Sequence, residues 1–137
     1  AAAAQTTITV CSSGCDYTSV NTAVENAERG DTIVLTAGQT FTETVYLTYK
    51  GAGTDYITIQ SSALASLPTA GNRVTPSDVA NMPTIRSAVA SEAAIRAEPA
   101  ANPPSYYRFI GIQILRHNST TFQQSPVYLG DFGAGQD

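Results

Sequence analysis

The spacing of apolar positions changes once along the chain. Between residues 18 and 29 (TSVNTAVENAER), Val20, Ala23, Val24 and Ala27 recur at i, i+3, i+4 and i+7, while Asn21, Glu25, Asn26 and Glu28 fall on the other side. That spacing predicts an amphipathic helix over 18–29 with one face to be buried. Thr18 or Ser19 can accept hydrogen bonds from its first N–H groups, Arg29 suits its negative C-terminal end, and Gly30 supplies a left-handed exit.

From Thr32 the period becomes two. Seven short β-rich runs are separated by Gly, Pro, Asn, Asp and Ser: Thr32-Ile33-Val34-Leu35, Thr44-Val45-Tyr46-Leu47, Tyr56-Ile57-Thr58-Ile59, Thr84-Ile85-Arg86, Ala94-Ile95-Arg96, residues 108–115, and Val127-Tyr128-Leu129. Val45 and Leu47 against Thr44, Tyr46 and Thr48 show the alternation of a strand with one buried face. No Asn-Gly or Asp-Gly pair marks a two-residue hairpin, which argues against an antiparallel meander. The order is that of a solenoid with three short strands per coil, each coil laid parallel on the last. On this reading the runs at 32–35, 44–47 and 56–59 form the first coil and those at 84–86, 94–96 and 108–115 the second. The run at 127–129 then opens a third. Residues 62–82, rich in Ala, Pro, Ser and Asn, are too long for a simple turn and are expected to project between the first two coils as a surface loop.

Composition narrows the partners. The chain has 137 residues, 42% hydrophobic and 13% charged, enough apolar content for one folded domain. Its seven basic residues are scattered and the net charge is −4, so nucleic acid is not an expected partner. No apolar run approaches the roughly 18–20 residues of a membrane span, and membrane insertion is not expected. The opening Ala1 to Ala4 is compatible with sequence just beyond a removed signal peptide. Cys11 and Cys15 bracket Ser12-Ser13-Gly14, which reads best as a local disulfide in a secreted or cell-surface protein. Two free thiols are the alternative, and metal binding is weaker still for want of a nearby His.

The string Asp16-Tyr17-Thr18-Ser19-Val20, with Ala23-Val24, Ala27, Gly30-Asp31-Thr32-Ile33-Val34-Leu35, Gly38 and Phe41-Thr42-Glu43, resembles the start of pectate-lyase-like right-handed parallel β-helix proteins. Tyr56-Ile57-Thr58-Ile59 and Tyr106-Tyr107-Arg108-Phe109-Ile110-Gly111-Ile112 look like later strands of the same group. The resemblance implies an all-β fold whose first coil is capped by the helix, with Val20, Ala23, Val24 and Ala27 as the lid. It further implies an extracellular protein that acts on or binds polysaccharide, by lyase chemistry with a Lys or Arg base, often with Ca²⁺, or by hydrolysis with paired carboxylates. The catalytic groups of such enzymes sit several coils in, so none is carried onto a residue here. The chain is expected to be a non-catalytic N-terminal section that needs no cofactor of its own, Ca²⁺ belonging only to a longer protein. It looks truncated, because residues 130–137 supply no lid like that at the other end; the C-terminal edge should continue into further coils or self-associate. A rod-like adhesin or stalk without activity is the rival reading, and a small β-sandwich lectin a third.

Candidate chemistry is sparse. His117, the single histidine, follows a predicted strand, where a general base is conceivable. Arg86, Arg96 and Arg108 lie in or beside predicted strands and are compatible with a cationic ridge for uronic acids, or with ordinary outward-facing positions. Asp131 and Asp137 among Gly130, Gly133 and Gly135 are compatible with a Ca²⁺ loop but read better as a turn. Asn118-Ser119-Thr120 is an N-glycosylation sequon or a polar loop. Seven tyrosines, Tyr17, Tyr46, Tyr49, Tyr56, Tyr106, Tyr107 and Tyr128, include candidates for stacking on sugar rings, which sequence does not sort from core residues.

Overall fold

Short stretches in which every second side chain is apolar build ten strands in the computed structural model, which describes residues 4–97, 101–120 and 125–129. The strands are β1 (Thr7–Val10), β2 (Thr32–Leu35), β3 (Thr40–Thr42), β4 (Val45–Leu47), β5 (Ile57–Ser61), β6 (Thr84–Arg86), β7 (Ile95–Ala97), β8 (Tyr107–Ile110), β9 (Gln113–Leu115) and β10 (Val127–Leu129), with one α-helix, α1 (Val20–Asn26), between β1 and β2. They form three sheets, β1-β2-β5-β8, β3-β6-β9 and β10-β7-β4, and every pairing between named strands is parallel. Strands adjacent in sequence, such as β2, β3 and β4, fall in three different sheets, and β5, β6 and β7 repeat the same order.

Register places like residues on like. In the first sheet Ile8, Ile33, Ile59 and Phe109 align; in the second Phe41, Ile85 and Ile114; in the third Val45, Ile95 and Val127. Ile33, Ile59, Ile85 and Val45 are fully buried, and these rows make up the core. Each such aliphatic side chain contributes on the order of 1.5–3 kcal/mol by leaving water.

The N-terminal edges of two sheets are covered by local devices. On β1, Asp16 Oδ2 accepts from the Thr9 N–H (2.8 Å) and the Thr9 hydroxyl (2.9 Å), while Cys11 N–H donates to the Tyr17 carbonyl and Tyr17 N–H to the Thr9 carbonyl. The Thr9 N–H holds the Asp16 carboxyl below the usual carboxylate range. The Cys11–Cys15 disulfide, with Cα atoms 5.7 Å apart, closes the loop that brings this return segment back. Strand edges left open are templates for pairing with other chains, and this one is occupied. Loop-closure entropy for so short a ring gives about 2 kcal/mol, so Cys11→Ser/Cys15→Ser is expected to lower unfolding stability by that amount in urea titrations. Faster exchange of the Thr9 and Cys11 amides should accompany the loss; unchanged exchange and midpoint would show that the disulfide does not guard the edge.

Helix α1 covers the edge of the third sheet. Asn21 Oδ1 accepts from the Tyr46 N–H of β4 at 2.8 Å, and Val20, Ala23, Val24 and Ala27 are all buried beneath the helix. Ser19, rather than Thr18, is the N-cap, accepting from Thr22 N–H at 3.2 Å. Glu43, from the turn between β3 and β4, adds a carboxylate at the same helix end, accepting from the Ser19 hydroxyl (2.8 Å), Val20 N–H (2.9 Å) and Asn21 N–H (3.0 Å).

Several expectations need correction. The helix stops at Asn26, because Ala27 already has extended backbone (ψ 145) and buried Asp31 draws the next turn inward by accepting from Glu28 N–H and Thr6 N–H. Gly30 has φ 95 but lies in that turn, beyond the helix end, and Arg29 is directed elsewhere. A strand, β1, precedes the helix, and β3 adds another between the runs at 32–35 and 44–47. Residues 108–115 are two strands, broken at Gly111 (φ 65). The grouping of strands shifts accordingly: β5 is hydrogen-bonded to β2, so the run at 56–59 lies beside the run at 32–35 rather than completing a turn with it. Residues 62–82 therefore join β5 to β6, and they contain two 3-10 helical turns, Leu64–Ser66 and Pro76–Asn81.

Candidate functional site

The same register decides which candidate residues meet. Arg86 lies on β6, Arg96 on β7 and Arg108 on β8, one in each sheet, so the three do not form a single cationic ridge. Arg86 Nη1 reaches the carbonyls of Arg116 and His117 at 3.4 and 3.5 Å, bracing the turn after β9. Arg96 sits between Tyr46 and Tyr128 in the outward row of the third sheet, with its guanidinium 5.6 Å from the Tyr128 ring centre. His117 is half-buried, and its Nδ1 lies 3.2 Å from the Ser87 carbonyl. A carbonyl can only accept, so Nδ1 carries the proton in this contact and the ring is oriented by backbone. Among the described residues no group of three or more His, Cys, Asp or Glu side chains is disposed to hold a metal ion. Asp131 and Asp137 lie outside the described residues. In the sequon, Asn118 Oδ1 accepts from Thr120 N–H and the Thr120 hydroxyl, a local polar turn.

Arg108 belongs instead to a cluster where three turns come together. The turn before β2 contributes Arg29, residues 48–56 contribute Tyr56, and residues 101–106 contribute Tyr106. The Arg108 guanidinium lies over the Tyr56 ring at 4.3 Å; Tyr56 and Tyr106 meet edge to face at 5.6 Å; Arg29 lies over Tyr106 at 5.4 Å. Along Arg108, Tyr56, Tyr106 and Arg29, two adjoining tyrosines are flanked by an arginine on either side. Stacking of guanidinium on tyrosine is worth about 0.5–1 kcal/mol at an exposed site, so these contacts also order the side chains that form them.

Arg29 holds the three turns in place. Its Nε and Nη2 donate to the Gly51 carbonyl at 3.0 and 2.7 Å, and Nη1 and Nη2 reach the Asp55 carbonyl, the Ser105 carbonyl and Ser105 Oγ at 3.4–3.5 Å. Gly53 allows that approach: a Cβ there would stand 2.8 Å from Arg29 Cδ, and its φ of 141 suits glycine alone. Below the cluster, the Tyr107 hydroxyl donates to the Thr48 carbonyl at 2.8 Å, and burial pushes its pKa up.

Tyr56 and Tyr106 keep 43% and 39% of their surface exposed, and Arg108 is exposed beside them. The arrangement offers aromatic surface for the apolar face of a ring and a guanidinium for a carboxylate. Sequence reading placed Arg108 among the candidates and the tyrosines among the unsorted; Arg29 was missed because its partners lie 22 to 76 residues away. Comparison with known protein families, with characterised proteins and with solved structures finds no match for this chain.

Proposed function

We propose that the chain is a section of a right-handed parallel β-helix, three strands to a coil, and that this β-helix belongs to a secreted protein that binds acidic polysaccharide. The coil reading is supported by strands that recur in the same sheet order with in-register parallel neighbours, and by the helix that covers the first row. The observation that carries the functional reading is the exposed pair of rings, Tyr56 and Tyr106, beside the exposed Arg108 and braced by Arg29, which matches a sugar chain bearing carboxylates. The section itself is non-catalytic, and the polymer is bound without being cleaved.

Affinity electrophoresis through gels containing polygalacturonate or dextran tests this. Retardation is expected with the anionic polymer, weakening as salt rises because the distance over which exposed charges attract, about 8 Å at physiological ionic strength, shortens as salt is added. Arg108→Ala should weaken binding roughly tenfold, equivalent to about 1.4 kcal/mol. Equal migration in both gels would contradict the reading, as would shortening of the polymer by the purified chain.

A further inference from the structure

Among the described residues, every position with positive φ is a glycine except one: Tyr106, at φ 61. A side chain in that left-handed region crowds its own backbone, and glycine adopts it without cost, as Gly14, Gly30, Gly38, Gly51, Gly53, Gly71 and Gly111 do here. A bulky aromatic in such a position is an outlier that needs a reason. Core packing does not supply one, because Tyr106 is 39% exposed and its neighbour Tyr107 packs against the core and donates its hydroxyl to Thr48. Nor is the ring needed to anchor the turn, since the Tyr106 carbonyl itself accepts from Ile57 N–H at 2.9 Å.

We propose that Tyr106 is the ligand-stacking residue of the corner: its ring, with that of Tyr56, receives the apolar face of a carboxylate-bearing pyranose whose carboxylate pairs with Arg108. This rests on the polysaccharide-binding reading and names the residues that perform it. Despite their contacts with Arg29, with Arg108 and with each other, Tyr106 and Tyr56 keep 39% and 43% of their surface exposed, so both rings still present surface to a sugar. Arg29 already spends Nε and Nη2 on the Gly51 carbonyl, which makes Arg108 the guanidinium for the carboxylate. The strained backbone sets the ring at the exposed corner before any ligand arrives, so little order is lost on binding.

The test is titration of the full chain with tetragalacturonate, followed by calorimetry and by tyrosine emission, which no tryptophan obscures. Tyr106→Gly and Tyr106→Asn both suit the left-handed backbone and lack the ring. Each is expected to weaken binding at least tenfold while the melting temperature stays within about 3 °C of the parent, because relief of strain offsets the lost ring contacts. Tyr106→Phe keeps the ring and should retain affinity within about threefold, as stacking rather than the hydroxyl supplies the contact. If the parent chain binds and both ring-less variants bind equally well, the assignment of Tyr106 is overturned while the binding reading stands. If the parent chain binds neither tetragalacturonate nor polygalacturonate, both fall together.

Discussion

Replacing Val24 by aspartate is expected to unfold the chain or to lower its stability by about 4 kcal/mol or more, since the side chain is wholly buried and a carboxylate there has no partner. Net stabilities of single domains are about 5–15 kcal/mol, so this one change removes much of the margin. The reason lies in the position of α1. A helix of seven residues is too short to persist alone in water, and Val20, Ala23 and Val24 are held by what they cover rather than by helical propensity. The same residues close the first row of strands, so expelling the helix also exposes the Val45 and Leu47 end of the third sheet. Val24→Ala, which removes two methyl groups without adding charge, should cost about 1.5–2 kcal/mol. Thermal melts of the three proteins check this; an unchanged midpoint in Val24→Asp would mean that the helix does not seal the core.

The second large effect is expected at Glu43. Its carboxylate accepts three hydrogen bonds at the start of α1, and its own N–H donates to the Arg86 carbonyl at 3.0 Å, so one residue fastens the helix to the second sheet. Charge-assisted bonds contribute roughly 1.5–3 kcal/mol each when intact, but these are only half-buried and water can replace part of them. Glu43→Ala should therefore cost about 2–3 kcal/mol, and Glu43→Gln, which keeps one acceptor oxygen and loses the charge, about half as much. Urea unfolding measures both. Equal stability of the alanine variant and the parent would show that Ser19 alone suffices as the cap.

Much of the fold can be read from residue spacing. The face Val20, Ala23, Val24 and Ala27 emerges from local periodicity, and all four residues are buried. The disulfide likewise follows from two cysteines four positions apart. What escaped were β1, whose two inward residues Ile8 and Val10 stand alone before the helix, and β3, in which only Phe41 faces inward; β9 merged with β8 into one run because the break at Gly111 leaves the apolar series continuous in sequence. Overlooking β3 moved the phase of the strand series by one, which put the run at 56–59 with the wrong partners. The cluster of Arg29, Tyr56, Tyr106 and Arg108 was less legible still. Tyr56 and Tyr106 are 50 positions apart, and Arg29 reaches Ser105 across 76, so the cluster exists only once the register is known. The backbone of Tyr106 gives no sign in sequence, because nothing in the letters distinguishes it from Tyr107.

The register at that corner is therefore the point on which both the fold and the site depend, and couplings across hydrogen bonds in NMR measure it directly. The Thr32 N–H should couple to the Thr6 carbonyl, the Thr58 N–H to the Asp31 carbonyl and the Ile57 N–H to the Tyr106 carbonyl, linking β1, β2, β5 and β8 in order. In the other sheets the Thr84 N–H should couple to the Gln39 carbonyl and the Val45 N–H to the Ala94 carbonyl. Observation of these couplings would establish the stacked parallel rows that bring Arg29, Tyr56, Tyr106 and Arg108 together. Couplings that instead join β2 to β3, or β4 to β5, as sequential antiparallel neighbours would contradict the account at its root.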